Sequence, residues 1–142
     1  MATGRGLLDT STVILLPRLL DPAALPEQPT ISAVTLAELT VGPLLASTDE
    51  QRALRLAELQ QAEADFDALP FDADAARAFG QVAASLYRAG RKASARTYDA
   101  MIAATAIANS LPLYTCNPSD FRRIAGLTVV AIPHPDQESP SR

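Results

Sequence analysis

The sequence predicts an α/β domain with a mostly parallel central sheet covered by helices on both faces, and three features lead to that prediction. Short apolar runs of strand length alternate with longer helical patterns, which is the order that βαβ units produce. Hydrophobic residues make up 48% of the 142 residues, enough for one domain with a real core. Acidic residues recur where the apolar runs end, and in parallel sheets those ends form the ligand-binding edge.

The first half of the chain predicts two strands and three helices. The segment RGLLDTSTVILL is predicted to be a short buried strand ending near Leu8, then a turn and an apolar helix that stops near Pro22. PTISAV is predicted to be a second buried strand, and TLAELTVGPLLA a helix bent at Gly42 and Pro43. A long, strongly helical stretch begins at Thr48.

The second half predicts two helices, a short third helix and up to three more strands. DALPF is a weak third strand or an extended connection, and DADAARAFGQVAASLYRAG is an amphipathic helix with Gly90 at its C-cap. After a basic loop, SARTYDAMIAATAIANS predicts a helix whose second half is apolar on every face. LPLYTC is the next strand, a short helix begins at Pro118, and LTVVAI is the last strand.

These elements predict one domain over residues 1–132, followed by a disordered tail over residues 133–142. The tail, PHPDQESPSR, is polar and rich in proline. It contains the only histidine, His134, which is therefore predicted to be a tail residue and not a ligand. The sequence has no glycine-rich phosphate loop, internal repeat or Cys/His zinc spacing.

Composition excludes several classes of protein. The single cysteine, Cys116, forms no intrachain disulfide and suits a reducing compartment. The early apolar run is broken at Asp9, too soon for a signal-peptide core, and no segment has the roughly 20 apolar residues that span a bilayer. We therefore expect a cytoplasmic protein without membrane contact.

The charge distribution limits how the chain binds nucleic acid. A formal net charge of −4 argues against a broad basic face that coats nucleic acid nonspecifically. It is compatible with a nuclease, because divalent cations in an acidic site invert the local field and bring a phosphodiester close. The basic segment RAGRKASAR supplies RNA-contact candidates in Arg91, Lys92 and Arg96, although such a run equally often just solvates a loop.

Four carboxylates are predicted to lie at one end of the sheet: Asp9, Glu38, Asp99 and Asp120. Each also has a local explanation when taken alone. Asp9 could cap the helix of TSTV, Glu38 has capping-box spacing from Thr35, and Asp99 suits the positive end of a helix dipole. Asp120 has the spacing of the third helical position after Asn117 and Pro118.

Together, the four carboxylates favour a metal site. Convergent carboxylates repel each other, so that without a partner several would have raised pKa values. Mg²⁺ or Mn²⁺ relieves that repulsion, because these hard cations prefer carboxylate oxygen and water. Zinc is not expected without histidine or cysteine ligands. Two ions about 4 Å apart would activate a water and stabilise the leaving oxygen in phosphodiester cleavage.

These segments also carry a family resemblance. LLDTSTVI, ISAVTLAEL and DAMIAATAIANSLPLYTCNPSDF resemble the successive motifs of PIN-domain proteins, most closely the VapC toxins of type II toxin–antitoxin systems, from about Leu7 to Val130. The resemblance implies a PIN-like α/β/α sandwich and a metal-dependent endoribonuclease that cleaves structured RNA and inhibits translation. It also implies a homodimer inhibited by a VapB-type antitoxin, for which we expect an apolar groove around Pro43, Leu44 and Leu45.

The resemblance assigns roles to individual residues. Asp9, Glu38 and Asp99 match the core acidic metal ligands, and Asp120 matches the fourth and more variable one. The polar residues that match the supporting positions are Thr10, Ser11 and Asn117. The chain departs from the pattern at Cys116, where many relatives have a basic residue, which would alter RNA contacts without touching the metal site.

Two other functions compete with the nuclease. An aspartyl-phosphate enzyme or receiver domain would use Asp9 as nucleophile, but the hydrolase needs a second Asp where Ser11 stands, and the only lysine, Lys92, lies outside a strand end. A PIN-like RNA- or protein-binding module without catalysis also remains open. The RNA target is open as well: with 5% aromatic residues the sequence favours recognition of a structured RNA loop, and does not choose between tRNA and rRNA.

Overall fold

The computed structural model describes residues 4–91 and 96–136. Its central feature is a five-stranded sheet of order β3-β2-β1-β4-β5 in which every pair of neighbours is parallel. In chain order the elements are β1 Arg5–Leu8, α1 Thr10–Leu15, β2 Gln28–Ser32, α2 Ala33–Leu44, α3 Asp49–Asp65, β3 Ala68–Leu69, α4 Ala73–Arg88, α5 Thr97–Ala108, β4 Leu113–Thr115 and β5 Val129–Ala131. Short 3₁₀ turns cover Leu16–Arg18, Pro22–Ala24 and Pro118–Phe121.

Helices cover both faces of the sheet, which confirms the predicted α/β/α sandwich. Leu7 and Leu8 are fully buried and, because strand side chains alternate, they enter different cores. Leu7 packs with side chains of α4 and α5, including Val82 and Ile102. Leu8 packs with side chains of α1 and α3, including Val13. Since all strands are parallel, their carboxyl ends meet at one edge of the sheet between these two cores.

Three predicted boundaries differ from the structure. The first helix ends at Leu15 instead of near Pro22, because Pro17 has no N–H for helical pairing and the chain continues as a 3₁₀ turn. The second strand ends at Ser32, whose hydroxyl accepts from the Val34 N–H, so that the predicted strand residues after it belong to α2. That helix ends at Leu44, with Pro43 in its last turn.

Other predicted elements are confirmed. Thr48 is the N-cap of α3, and DALPF contains the third strand, which pairs with β2. Gly90 has a φ of +76° directly after the α4 C-cap, and the N–H groups of Gly90 and Arg91 donate to the Tyr87 and Leu86 carbonyls. These two hydrogen bonds form a Schellman motif, which requires a left-handed backbone conformation, with positive φ, at the position of Gly90.

The predicted tail is described only in part. Residues 133–136 are placed, and Asp136 forms an ion pair with Arg18. Residues 137–142 lie outside the described residues, so the predicted disorder stays a prediction. Within the described part of the chain, no helix is long and apolar enough to cross a membrane.

Candidate metal centre

Asp9 lies at the centre of the carboxyl edge, directly after β1, and it is both a cap and a member of the acidic cluster. Its side chain is 3% exposed and accepts from the Thr12 N–H at 3.3 Å, which makes it the N-cap of α1. The hydroxyls of Ser11 and Thr115 each donate to its Oδ2 at 3.0 Å. The amide of Asn117 in turn donates to Ser11 Oγ at 3.0 Å. Both hydroxyl protons therefore point at the carboxylate and stabilise its charge.

Glu38 lies beside Asp9 in the second turn of α2. Thr10 donates its hydroxyl proton to Glu38 Oε1 at 2.6 Å, so the 2.9 Å contact between the Thr10 and Thr35 hydroxyls has Thr35 as the donor. The predicted capping box of Thr35 and Glu38 is wrong, because Ser32 is the N-cap of α2. Glu38 is thus free of backbone capping and faces the cluster.

Asp99 and Asp120 form the outer part of the cluster. Asp99 lies in the first turn of α5, and Asp120 lies in the 3₁₀ turn Pro118–Phe121 that follows β4. Arg96 Nη1 lies 2.7 Å from Asp120 Oδ1 and 3.4 Å from Asp99 Oδ2, so one guanidinium contacts both carboxylates. Each of the two Asp side chains is 29% exposed, whereas Asp9 is buried.

The four carboxylates are close enough for their charges to affect one another. Burial, followed by the charges of Asp120, Asp9 and Glu38, raises the pKa of Asp99 to about 6, against a lowering contact from Arg96. Burial also raises the pKa of Glu38, with the charge of Asp9 adding to it. Burial raises the pKa of Asp9 as well, although hydrogen bonds from Thr12, Thr115 and Ser11 oppose that rise. Ionising the whole cluster without a cation is therefore costly.

The donor set fits a hard divalent cation, since it offers carboxylate and hydroxyl oxygens and no imidazole. The arrangement is nevertheless spread into an inner pair, Asp9 and Glu38, and an outer pair, Asp99 and Asp120. In residues 4–91 and 96–136, no three side chains of His, Cys, Asp or Glu are grouped closely enough to hold one ion as they stand.

The remaining predicted residues fall in different places. Thr10, Ser11 and Asn117 all contact the cluster or its hydroxyls, although Asn117 occupies the N-cap position of the 3₁₀ turn without capping it. Arg91 donates to the Arg122 carbonyl at 2.8 Å and not to the cluster, and Lys92 lies outside the described residues.

Three contributors were missed from the sequence. Thr12 donates its N–H to the capping side chain of Asp9, and its hydroxyl accepts from the Cys116 N–H at 3.0 Å. The Thr115 hydroxyl donates to Asp9. Arg96 was predicted only as an RNA contact. The position of Thr115 at the end of LPLYTC was the available signal, because it follows the same rule that located the carboxylates.

An α/β/α sandwich with clustered carboxylates at the carboxyl edge of a parallel sheet defines a class of domain suited to metal-dependent phosphodiester chemistry. The family model for the PIN domain matches residues 7–127 of this chain. Ribonuclease VapC5 of Mycobacterium tuberculosis is 42% identical over 129 residues, which cover 89% of this chain and 93% of the relative. The chain therefore belongs to the PIN-domain family and, within it, to the VapC ribonucleases.

Further relatives agree with this assignment. The tRNA(fMet)-specific endonuclease VapC of Shigella flexneri is 37% identical over 68% of this chain and 70% of its own length. Among solved structures, that of VapBC-5 from Mycobacterium tuberculosis, a member of the VapBC family of toxin–antitoxin systems, has a TM-score of 0.78 and 37% identity. The match covers 91% of this chain and 99% of that one.

Proposed function

We propose that the protein is the toxin of a type II toxin–antitoxin system and acts as a divalent-metal-dependent endoribonuclease. The observation that carries the proposal is the convergence of Asp9, Glu38, Asp99 and Asp120 at one edge of the sheet. Burial raises the pKa of the first three, and repulsion from neighbouring carboxylates adds to that rise for Glu38 and Asp99. The names of the relatives, ribonuclease and endonuclease, support the same activity. Divalent metal ions are the cofactor that the family implies.

We propose Mg²⁺, with Mn²⁺ able to substitute, and we assign Asp9, Glu38, Asp99 and Asp120 as its ligands. When bound, the metal supplies an activated water and charge stabilisation at the scissile phosphate. The chain's own contribution is to orient the ligands. Thr10 fixes Glu38, and Asn117 fixes Ser11, which with Thr115 fixes Asp9. These contacts hold the inner pair so that only the outer pair has to adjust.

The proposed substrate is a structured RNA that presents an exposed loop, either a tRNA or an rRNA. The specificity of the Shigella flexneri relative for tRNA(fMet), which its name states, supports a tRNA. The low aromatic content of 5% disfavours general binding of single strands by base stacking. Arg91, Arg96 and Lys92 remain the proposed RNA contacts.

The proposed partner is a VapB-type antitoxin, and the proposed assembly is a toxin homodimer in the cytoplasm. Structural relatives are VapBC complexes, some of them bound to DNA. Where the antitoxin groove was expected, Leu44 and Leu45 are 78% and 74% exposed while Pro43 is buried. A separate groove of about 350 Å³ lies between α1 and α3 and is lined by Ile14, Leu16 and Leu54 among others. Either surface is suited to an amphipathic helix.

Two measurements on the purified chain test the function. Mn²⁺ should raise the melting temperature, because a ligand that binds only the native state stabilises it. Total RNA incubated with the protein should gain a small set of new 5′ ends in Mn²⁺ and none in EDTA, as read by 5′-end sequencing. RNA binding without new 5′ ends would instead favour the binding-module alternative, and identical cleavage in EDTA would exclude a metal-dependent enzyme.

A further inference from the structure

Arg96 places a positive charge inside the outer half of the acidic cluster. Its Nη1 atom lies 2.7 Å from Asp120 Oδ1 and 3.4 Å from Asp99 Oδ2. Among ion pairs between described residues, it is the one arginine that contacts two carboxylates. The comparable pairs on other helices, Arg52 with Asp49 and Arg77 with Asp74, each join one arginine to one carboxylate at the surface.

The two halves of the cluster are neutralised in different ways. Of the inner carboxylates Asp9 is buried and Glu38 is half-buried, and both accept hydroxyl protons, from Ser11 and Thr115 and from Thr10 respectively. For the outer carboxylates, the structure records a side-chain partner of a different kind, the guanidinium of Arg96. A guanidinium between two carboxylates does electrostatically what a bound cation would do there.

Arg96 is also placed so that it can leave. It lies at the N-cap position of α5 without making a side-chain capping bond, and its side chain is 44% exposed. Among the described residues, its side chain forms ion pairs with these two carboxylates. Rotation of its long side chain toward solvent therefore breaks no capping hydrogen bond of α5.

We propose that Arg96 is an internal counter-ion that holds Asp99 and Asp120 in the metal-free protein and gives them up when a divalent ion binds. The inference rests on the proposed metal site, and it adds a competition that sets the metal affinity. The spread arrangement of the four carboxylates is then the metal-free state of the site, in which the outer pair is held by Arg96 and not yet gathered around an ion. The released guanidinium of Arg96 remains beside the metal site, where it can contact an RNA phosphate.

The test compares Arg96→Gln with Arg77→Gln, a matched control that removes an Arg–Asp pair of the same i,i+3 spacing from the surface of α4. Melting temperatures are measured in EDTA and in saturating Mn²⁺. In EDTA, Arg96→Gln should lower the melting temperature, because Asp99 and Asp120 lose their shared counter-charge. In Mn²⁺ that difference should disappear, whereas any effect of Arg77→Gln should be equal in both conditions. Arg96→Lys, which keeps the charge, should give a smaller loss in EDTA.

Calorimetric titration with Mn²⁺ supplies a second readout that needs no RNA. Removing the competitor should tighten Mn²⁺ binding by about fivefold in Arg96→Gln and leave it unchanged in Arg77→Gln. Equal or weaker binding by Arg96→Gln, or an equal stability loss in both conditions, would overturn the inference while leaving the metal site intact. If Mn²⁺ neither binds nor stabilises the wild-type chain, the proposed metal site fails, and the inference fails with it.

Discussion

At the scale of single residues, the carboxylates illustrate how a local role and a site role combine. Asp9 caps α1 through Oδ1, as its position suggested, while Oδ2 accepts hydroxyl protons from Ser11 and Thr115; its role as a metal ligand is the proposal made above. Glu38 has one role, because Ser32 takes the N-cap and leaves Glu38 a turn further along α2. Spacing alone could not separate these cases, since the capping pattern depends on where the preceding strand ends.

For Asp99, the metal-ligand and helix-dipole roles predict opposite effects of Asp99→Asn on stability and on RNA cleavage. Removing a carboxylate that Asp120, Asp9 and Glu38 repel should leave the metal-free protein equally stable or more stable at pH 8. Cleavage in Mn²⁺ should fall by roughly a hundredfold or more, since each 1.36 kcal/mol of lost transition-state stabilisation is about a tenfold change. Melting in EDTA and cleavage in Mn²⁺ are measured on one preparation. Lower stability with retained cleavage would restore the dipole role.

The raised pKa of Asp99 predicts how the stability of the metal-free protein depends on pH. Its folded pKa of about 6 exceeds the ordinary aspartate pKa of 3.8, which we take for the unfolded state, so the folded state binds the proton more tightly than the unfolded state does. The resulting stabilisation is complete below the unfolded value and is lost as pH rises through about 6. Chemical denaturation in EDTA at several pH values should show this loss, and Asp99→Asn should reduce it. An unchanged pH profile in the variant would contradict the assignment.

Glu38→Gln is expected to keep the fold and lose metal-dependent cleavage. The amide oxygen of Gln can still accept the Thr10 hydroxyl proton, so the contact that orients the side chain survives. A neutral amide is a poor substitute for an anionic ligand of a hard cation, and we expect a loss of about a hundredfold. Circular dichroism serves as the control for folding. Full cleavage by the variant in Mn²⁺ would remove Glu38 from the proposed ligands.

At the scale of elements, the order of strands and helices could be predicted from the sequence, whereas several of their ends could not. Period and apolar content locate a buried strand or helix, and glycine marks its end where a positive φ is needed, as at Gly90. The end of α1 depended on Pro17 shortening an apolar run that continues past it. The end of β2 depended on one hydroxyl, that of Ser32, whose capping bond is invisible in hydrophobicity.

Gly6 on β1 should be far less tolerant of substitution than the exposed helical Gly80. A Cβ at Gly6 would lie 2.5 Å from the Tyr114 ring and 2.9 Å from Pro26, so Gly6→Ala must shift these side chains or the strand that precedes Asp9. We expect a loss of about 1–3 kcal/mol in unfolding free energy. Gly80→Ala has no atom within 4 Å of its Cβ and should gain about 1 kcal/mol from helix propensity. Urea denaturation of both variants tests the contrast, which equal effects would refute.

At the scale of the whole molecule, the parallel topology is what made the site predictable. Once the strands were predicted to be parallel, their carboxyl ends had to meet, and the four carboxylates were placed at one edge without knowledge of strand order. The position of Arg96 could not be predicted in the same way. It precedes α5 at the end of a basic loop, and its contact with Asp120 joins segments that are brought together only by the packing of α5 against the 3₁₀ turn after β4.

The proposed antitoxin contact can be localised with two leucines of α3. Leu54 is 63% exposed and lines the groove between α1 and α3, whereas Leu56 is 42% exposed and does not line it. Both are replaced by Gln, which keeps side-chain length and helix propensity, so that only apolar contact is lost. If the partner helix occupies the groove, Leu54→Gln should lower the affinity for the natively expressed small partner by about tenfold, so that less of it co-purifies. Leu56→Gln should leave that affinity unchanged. Both variants should retain Mn²⁺-dependent cleavage, because the groove is separate from the carboxylates. Equal capture by Leu54→Gln and wild type would direct the search to Leu44 and Leu45 instead, and purification without any partner would count against the antitoxin itself.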